Sequence, residues 1–396
     1  MNILVANVGS TSFKYRLFDM PSERVLAEGR IERVGESNSA FEHRAEGRDS
    51  VQGEAEIPDY AAAIRHALTA LTGPGGSIRG LRDLAAVGFK TVHLRGEPGS
   101  YPLTDEVLGR MADYNDLAPA HNPPYIRAIR IFREVAPGVP LVGVFEPAFH
   151  ATIPDYAHIY GVPYRWYERY GIRKYGFHGA SHRYVAGRVP RLLGVPAEGL
   201  RIVSCHLGGS ASVCAIRDGR SIDTSMGFSP QDGVLNATRT GAVDPFAVLY
   251  AMDREGLSTA EARRALSEEG GLLGISGVSG DVRDLEEAAG RGHDRARLAL
   301  EAFCYGVKKQ IGAYAAAMGG LDAVAFAGGI GEKGVEVRRR ICAGLEFLGV
   351  VVDNMKNRSG APERLISADG GRVKVFVIRT DEEVVVARAT AEVIAR

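Results

Sequence analysis

Three glycine-rich turns hold the residues best suited to chemistry: NVGSTS at 7–12, GGS at 208–210 and GGIG at 328–331. A tight Gly/Ser turn between antiparallel strands directs backbone N–H groups and hydroxyls at an anion, and glycine lets the backbone approach a ligand closely. The third turn follows an apolar run and precedes a helical stripe, which predicts N–H groups at a helix N-terminus, a favourable place for phosphate. Two such turns, one per domain, would grip a polyphosphate from both sides. Neither a GxxxxGK[ST] loop nor a GxGxxG fingerprint is present, because GGIGEKG at 328–334 has the wrong phase. Two histidine-bearing stretches add donors: the proline-rich loop 115–124 holds His121, and 173–182 holds His178 and His182. The spacing of four would put His178 and His182 on one helix face, but no third ligand lies nearby, so a metal site is not expected there.

The elements that must position these residues recur. Ile3–Ala6 is apolar and short enough for a buried strand; Phe13–Phe18 alternates; 20–24 reads as a turn and 25–31 as a third strand. About 200 residues later, by the same reading of periods, strands at 201–207, 211–216 and 220–223 follow each other in the same order, separated by the turns 208–210 and 217–219. The recurrence predicts a duplicated domain. Helical stripes run over 60–71, 295–318 (stopping at Gly319), 335–347 and 381–394, and strands are expected at 321–326 and 373–378. Alternating strands and helices imply a layered α/β fold.

Composition narrows the class. The chain has 396 residues and a formal net charge of zero, from 48 Lys plus Arg against 48 Asp plus Glu. Its length suggests two domains, and its balance argues against sequence-independent nucleic-acid binding. No apolar run approaches a membrane span, and the N-terminus lacks signal-peptide features, so a cytoplasmic location is expected. The four cysteines are far apart, without a CxxC, and read as buried free thiols.

Ten ordered blocks then resemble the acetate kinase family: NVGSTSFK at 7–14, LAPAHNP at 117–123, VFEPAFH at 144–150, KYGFHG at 174–179, HLG at 206–208, DTSMGF at 223–228, TRTG at 238–241, ISGV at 275–278, GIGE at 329–332 and TDEE at 380–383. The resemblance implies an α/β fold of two duplicated actin- and hexokinase-like (ribonuclease H-like) domains, with the active site in an interdomain cleft. The expected boundaries are 1–148 plus 383–396 for the N-terminal domain and 149–382 for the C-terminal, nucleotide-binding domain. It implies a Mg²⁺-dependent homodimeric kinase that moves the γ-phosphoryl group of ATP to a short-chain carboxylate, giving an acyl phosphate and ADP. The family includes a pyrophosphate user, so ATP is part of the expectation. By the same resemblance Arg239 and His178 act on the phosphoryl group, with Glu146 and Lys90 beside them. Asn7, Ser10, Ser12, Lys14, His206, Gly208, Gly209, Asp281, Arg283, Gly329 and Ile330 would border ATP, and Asn7 and Glu382 the metal. Val92, Ala120, His121, Phe177 and Pro230 would surround the acid.

Several positions depart from the family pattern. Lys90 stands where the family has arginine, keeping charge but losing the planar fork; Arg95 would substitute if it pointed inward. Glu146 replaces an aspartate, Gly209 an asparagine, Ser210 a glycine and Asp381 an asparagine. Ala120 replaces a leucine in the acyl pocket, which predicts an acid larger than acetate, at about 0.8 kcal/mol per buried CH₂. The clustered departures leave two other readings: a kinase of this fold with a different acceptor, and a nucleotide-binding protein without turnover.

Overall fold

The computed structural model describes residues 1–396 except Ser10, Pro119 and Ala120. The chain packs as two units, Met1–Ala148 with Asp381–Arg396, and Phe149–Thr380. The returning segment thus starts at Asp381 rather than at 383, and it carries Glu382 into the first unit.

The first unit is built on eight strands: β1 (Asn2–Val8), β2 (Ser12–Asp19), β3 (Arg24–Glu32), β4 (Ser39–Ala45), β5 (Val51–Ala55), β6 (Leu84–Thr91), β7 (Ser100–Pro102) and β8 (Leu141–Phe145). They lie in the order β5-β4-β3-β2-β1-β6-β8-β7. β1, β6 and β8 run parallel, whereas β1, β2 and β3 form an antiparallel meander. Parallel strands covered on both faces should be apolar almost throughout, and β8 is buried at all five positions. One face receives helices Tyr60–Thr72 and Asn122–Val135, whose Ile64, Leu68, Ile129 and Phe132 join Phe13 and Phe89 in one core. Helix Glu382–Ile394 also lies against this sheet, and its approach requires Gly88: a Cβ there would stand 2.2 Å from Thr390 Oγ1.

The second unit repeats the plan with six strands: β9 (Arg201–Leu207), β10 (Ala211–Arg217), β11 (Arg220–Thr224), β12 (Ala323–Ala327), β13 (Arg364–Leu365) and β14 (Lys374–Val377). Their order is β11-β10-β9-β12-β14-β13, again an antiparallel meander joined to a parallel trio. β1 and β9 are each seven residues long and share one burial pattern, in which only the first and sixth residues are half-buried. The sixth residues are Asn7 and His206, so the duplication puts two expected site residues at equivalent positions. Helix Asp294–Met318 packs through Phe303, Val307 and Ile311 against one group of core strand residues, and helix Gly179–Leu193 through Val185 and Val189 against another.

Three sequence expectations need correction. The glycines at 328–331 do not form an open turn: Gly328–Lys333 is a short helix, with Ala327 as its N-cap. The following helix stops at Cys342 rather than running to 347, and Gly344 takes a left-handed φ of 82°. Strand β12 begins at Ala323, two residues after the expected start. The four cysteines are buried and free. Among the described residues no helix is long and apolar enough to cross a membrane.

Candidate active site

In the first unit, the end of β1 presents Asn7 and the start of β2 presents Ser12 and Lys14, with Asn7 opposite Lys14 in the ladder. The turn between them closes through the Gly9 N–H, which donates to the Ser12 carbonyl at 2.8 Å. A Cβ on Gly9 would stand 2.4 Å from Ser12 Oγ, so the turn needs glycine there. The Asn7 side chain is held from below. Tyr125 donates its O–H to Asn7 Oδ1 at 3.0 Å and accepts the Val8 N–H at 3.2 Å. Burial pushes the Tyr125 phenol up to about 12, so it stays a donor. Ser10, expected beside Asn7, lies outside the described residues.

Lys90 on β6, Glu146 just beyond β8 and Glu382 in the first turn of the last helix come together. Lys90 Nζ lies 3.0 Å from Glu146 Oε1 and is also paired with Glu382 Oε2. The three side chains are only 24%, 8% and 18% exposed. Burial opposes the ammonium charge, but the two carboxylates outweigh it and hold the Lys90 pKa well above the ordinary lysine value. Arg95 does not substitute for the missing guanidinium: it is about half exposed and pairs with Asp113 at 3.7 Å. Asp381 caps the last helix by accepting the Val384 N–H at 3.0 Å and receives Arg16 Nη1 at 3.0 and 3.1 Å. Val92 is half-buried, and His121 is exposed at the N-cap of helix Asn122–Val135. Ala120, on which the size argument rests, lies outside the described residues.

In the second unit, six of the expected nucleotide residues line one cavity of about 440 Å³: Gly208, Gly209, Asp281, Arg283, Gly329 and Ile330. Asp281 caps the helix Val282–Gly290 and pairs with Arg283 at 2.6 Å. The wall formed by Gly328–Lys333 is clamped by Arg338, which is fully buried. Its guanidinium donates to the carbonyls of Gly331 (2.7 Å) and Glu332 (2.9 Å), to Asn357 Oδ1 (2.7 Å) and to the Asn357 carbonyl (2.9 Å).

Arg239 sits on a loop that can pack only because Gly271 lacks a side chain: with φ +62°, a Cβ there would come within 2.7 Å of the Arg239 carbonyl. Arg239 Nη1 donates to Ser210 Oγ at 3.0 Å, so the serine that replaces the expected glycine aims the guanidinium. Burial lowers the Arg239 pKa slightly without removing its charge. His178 is the N-cap of the helix Gly179–Leu193, held at φ +55°, and its ring stacks on His206 at 4.2 Å. His178 Nδ1 is 2.8 Å from Ser212 Oγ, and His206 Nδ1 is 2.8 Å from Ser181 Oγ. His182 points into the core instead, between Ser204 and Ser212. Phe177 is buried and its carbonyl faces His150 Nε2 at 3.0 Å; Pro230 is half-buried. Among the described residues no three His, Cys, Asp or Glu side chains cluster as a metal site.

Sequence reasoning missed Tyr125, Arg338 and the serines at 181, 204 and 212. A signal existed for two of them. Ser204 and Ser212 are polar residues at buried positions of otherwise apolar strands, which demands a polar partner.

Comparisons with known proteins give the family. The Acetokinase family model matches residues 2–388. The acetate kinase of Caldanaerobacter subterraneus subsp. tengcongensis is 47% identical over 398 residues, covering 100% of this chain and 99% of that protein. The crystal structure of Porphyromonas gingivalis acetate kinase superposes with a TM-score of 0.87 at 37% identity, covering 99% of both chains. A propionate kinase from Francisella tularensis superposes with the same TM-score of 0.87 at 34% identity, covering 98% of both. A duplicated α/β fold, the ordered blocks and these matches together place the chain in the acetokinase family, as a phosphotransferase that uses ATP to phosphorylate a carboxylate.

Proposed function

We propose that the chain transfers the γ-phosphoryl group of Mg²⁺-bound ATP to a short-chain acid larger than acetate. One observation supports the nucleotide half of the reading above all: residues from three distant stretches, around 208, 281 and 329, line a single cavity. The ATP phosphates would meet Asn7, Ser12 and Lys14, and the resemblance adds Ser10 to them.

A carboxylate is already a nucleophile, so the acceptor needs no general base. The work is alignment and charge neutralisation between two anions. Arg239, aimed by Ser210, would stabilise the equatorial oxygens of the transferring group, and His178 would donate an N–H to it. Lys90 would neutralise the acceptor carboxylate. Glu146 and Glu382 already converge on one cation, the Lys90 ammonium, and an all-oxygen acidic set of this kind suits a hard dication. Glu382 and the Tyr125-held Asn7 would hold Mg²⁺, which when bound offsets the charge of the phosphate oxygens. With so few protein ligands, such an ion would keep waters and substrate oxygens in its shell.

The residues that the resemblance assigns to the acid are Val92, Ala120 and His121 in the first unit and Phe177 and Pro230 in the second. The preference for a larger acid rests on the small volume of Ala120. Trapping acyl phosphates with hydroxylamine, one acid at a time from acetate to hexanoate, tests it. A kcat/KM that rises from acetate to propionate or butyrate is expected; a steady fall from acetate overturns the preference.

The homodimer belongs to the same reading. Helices Tyr164–Tyr170 and Pro245–Glu255 bury none of their residues within the chain, although the second carries Phe246 at 75% and Tyr250 at 61% exposure. Such apolar faces favour a second copy as cover. Light scattering should give twice the chain mass, and a double charge insertion, Phe246→Glu with Tyr250→Glu, should give the monomer. A cytoplasmic location is part of the proposal, because the reaction consumes ATP.

A further inference from the structure

Between the core and His178 runs a chain of three side chains that the reaction as described does not use. Ser204 Oγ lies 2.9 Å from His182 Nδ1, His182 Nε2 lies 2.8 Å from Ser212 Oγ, and Ser212 Oγ lies 2.8 Å from His178 Nδ1. Ser204, His182 and Ser212 are all fully buried. Hydrogens in such a chain can be counted. A hydroxyl has one hydrogen, so Ser212 can donate to only one of its two imidazole neighbours, and the other must donate to it. The His182 ring is neutral, because burial first and then His150 and His206 hold its pKa well below the usual histidine range. It therefore carries one hydrogen.

Two arrangements satisfy these counts and give the buried Ser212 hydrogen an acceptor, and they run in opposite directions. In one, Ser204 donates to His182 Nδ1, His182 Nε2–H donates to Ser212, and Ser212 donates to His178 Nδ1. His178, when neutral, then carries its hydrogen on Nε2. In the other, His182 Nδ1–H donates to Ser204, Ser212 donates to His182 Nε2, and His178 carries its hydrogen on Nδ1. The end of the chain decides between them. Among the described residues the Ser204 hydroxyl has one hydrogen-bond partner, His182 Nδ1. The second arrangement would leave the Ser204 hydrogen buried without an acceptor, which is costly, whereas the first leaves none.

We infer that Ser204, His182 and Ser212 are positioning residues that fix His178 as the Nε2–H tautomer, so that the ring offers substrate a hydrogen rather than a lone pair. The inference rests on the proposal that His178 donates to the transferring phosphoryl group. A neutral donor in the opposite tautomer would present a lone pair to phosphate oxygens and repel them. Burying the three residues keeps the choice out of reach of water.

The test is two-bond ¹H–¹⁵N correlation spectroscopy of histidine-labelled full-length protein at pH 8, with the His178 signal identified by its loss in His178→Gln. In the wild type, Nε2 of His178 should carry the proton and Nδ1 should not. Ser204→Ala removes the directing hydrogen and should shift His178 toward a mixture of tautomers. The same variant should lower kcat several-fold, with KM for ATP unchanged. His182→Gln, whose amide N–H can replace His182 Nε2–H, should restore the wild-type pattern at His178. Should Ser212→Ala fold poorly, Ser204→Ala and His182→Gln still decide the matter. A wild-type proton on Nδ1, or a His178 tautomer unmoved by Ser204→Ala, overturns the inference. The role of His178 itself is read separately, from His178→Ala: full turnover there would remove the donor role while the tautomer result stood.

Discussion

Lys90 Nζ stands 3.0 Å from Glu146 Oε1, with Glu382 on its other side, so a single ammonium holds two nearly buried carboxylates in one unit. Removing one member of such a group costs more than the group itself contributes, because the remaining charge stays buried without compensation. Lys90→Met should therefore lower the unfolding free energy by roughly 3 kcal/mol and abolish turnover, as measured by urea denaturation and ADP release. The raised pKa sets the pH window. This stabilisation is complete below the ordinary lysine pKa of about 10.4 and is lost only as pH rises through the still higher folded value, so it should be constant from pH 6 to 9.

Ser210 and Arg239 offer a second test. A hydrogen bond to a charged group is worth about 1.5–3 kcal/mol, and each 1.4 kcal/mol is about tenfold in rate. Ser210→Gly should lower kcat/KM by about tenfold or more while leaving nucleotide affinity in place. Arg239→Ala should end turnover and still bind ATP by calorimetry. Loss of ATP binding in Arg239→Ala would show that the guanidinium serves the ground state.

Arg338 clamps one wall of the second-unit cavity, with four hydrogen bonds from a fully buried guanidinium. Arg338→Ala should destabilise the chain by roughly 3–5 kcal/mol, as for a buried polar network that loses its centre. Arg338→Lys cannot rebuild the fork and should raise KM for ATP more than it lowers kcat. Equal effects on kcat and KM for the acid would sink that assignment.

Acid should loosen the second unit through its buried histidines. Burial lowers the His150 pKa to about 4, against a slight opposing effect of its bond to the Phe177 carbonyl. The unfolded chain takes up a proton near pH 6.5 that the folded chain refuses until about 4, so stability falls as pH drops across that interval. Between pH 7 and 5 this one group should account for roughly 2 kcal/mol, and His182 adds a change in the same direction. Urea midpoints at the two pH values measure the total. His150→Gln, which replaces a titrating group by a neutral one, should flatten the slope.

Much of this architecture is readable in the residues. β1–β3 and β9–β11 announce themselves because alternation and Gly/Ser turns are local signals, and their shared order exposes the duplication. The glycines at 208–209 and 329 of the second-unit cavity stand out as Gly-rich turns, whereas Asp281 and Arg283 were expected there only through the ordered blocks, since no spacing rule links 208, 281 and 329. Arg338 was not legible at all: an arginine on a helix with Arg339 and Arg340 beside it reads as a solvated face, and burial was decided by Asn357, far along the chain. Gly328–Gly331 misled in the other direction, because four residues with three glycines favour a turn until the Arg338 clamp and β12 hold them as helix. Asp381 reads as a lost side-chain amide, yet as a helix cap it does what asparagine would do and adds a partner for Arg16.

The placement of helix Glu382–Ile394 against the first unit has a consequence for biosynthesis. The strands it must join are finished by Phe145, and the whole of Phe149–Thr380 is translated before it. At about 5–20 residues per second, the first sheet waits on the order of 10–50 s for its final helix. During that interval Gly88 and its neighbours lack the side chain of Thr390 above them, and the carboxylate of Glu382 has not arrived beside Lys90. A nascent chain that has not yet reached Glu382 therefore has the strands of its first sheet complete but the face over Gly88 uncovered, and it holds Lys90 and Glu146 without the second carboxylate.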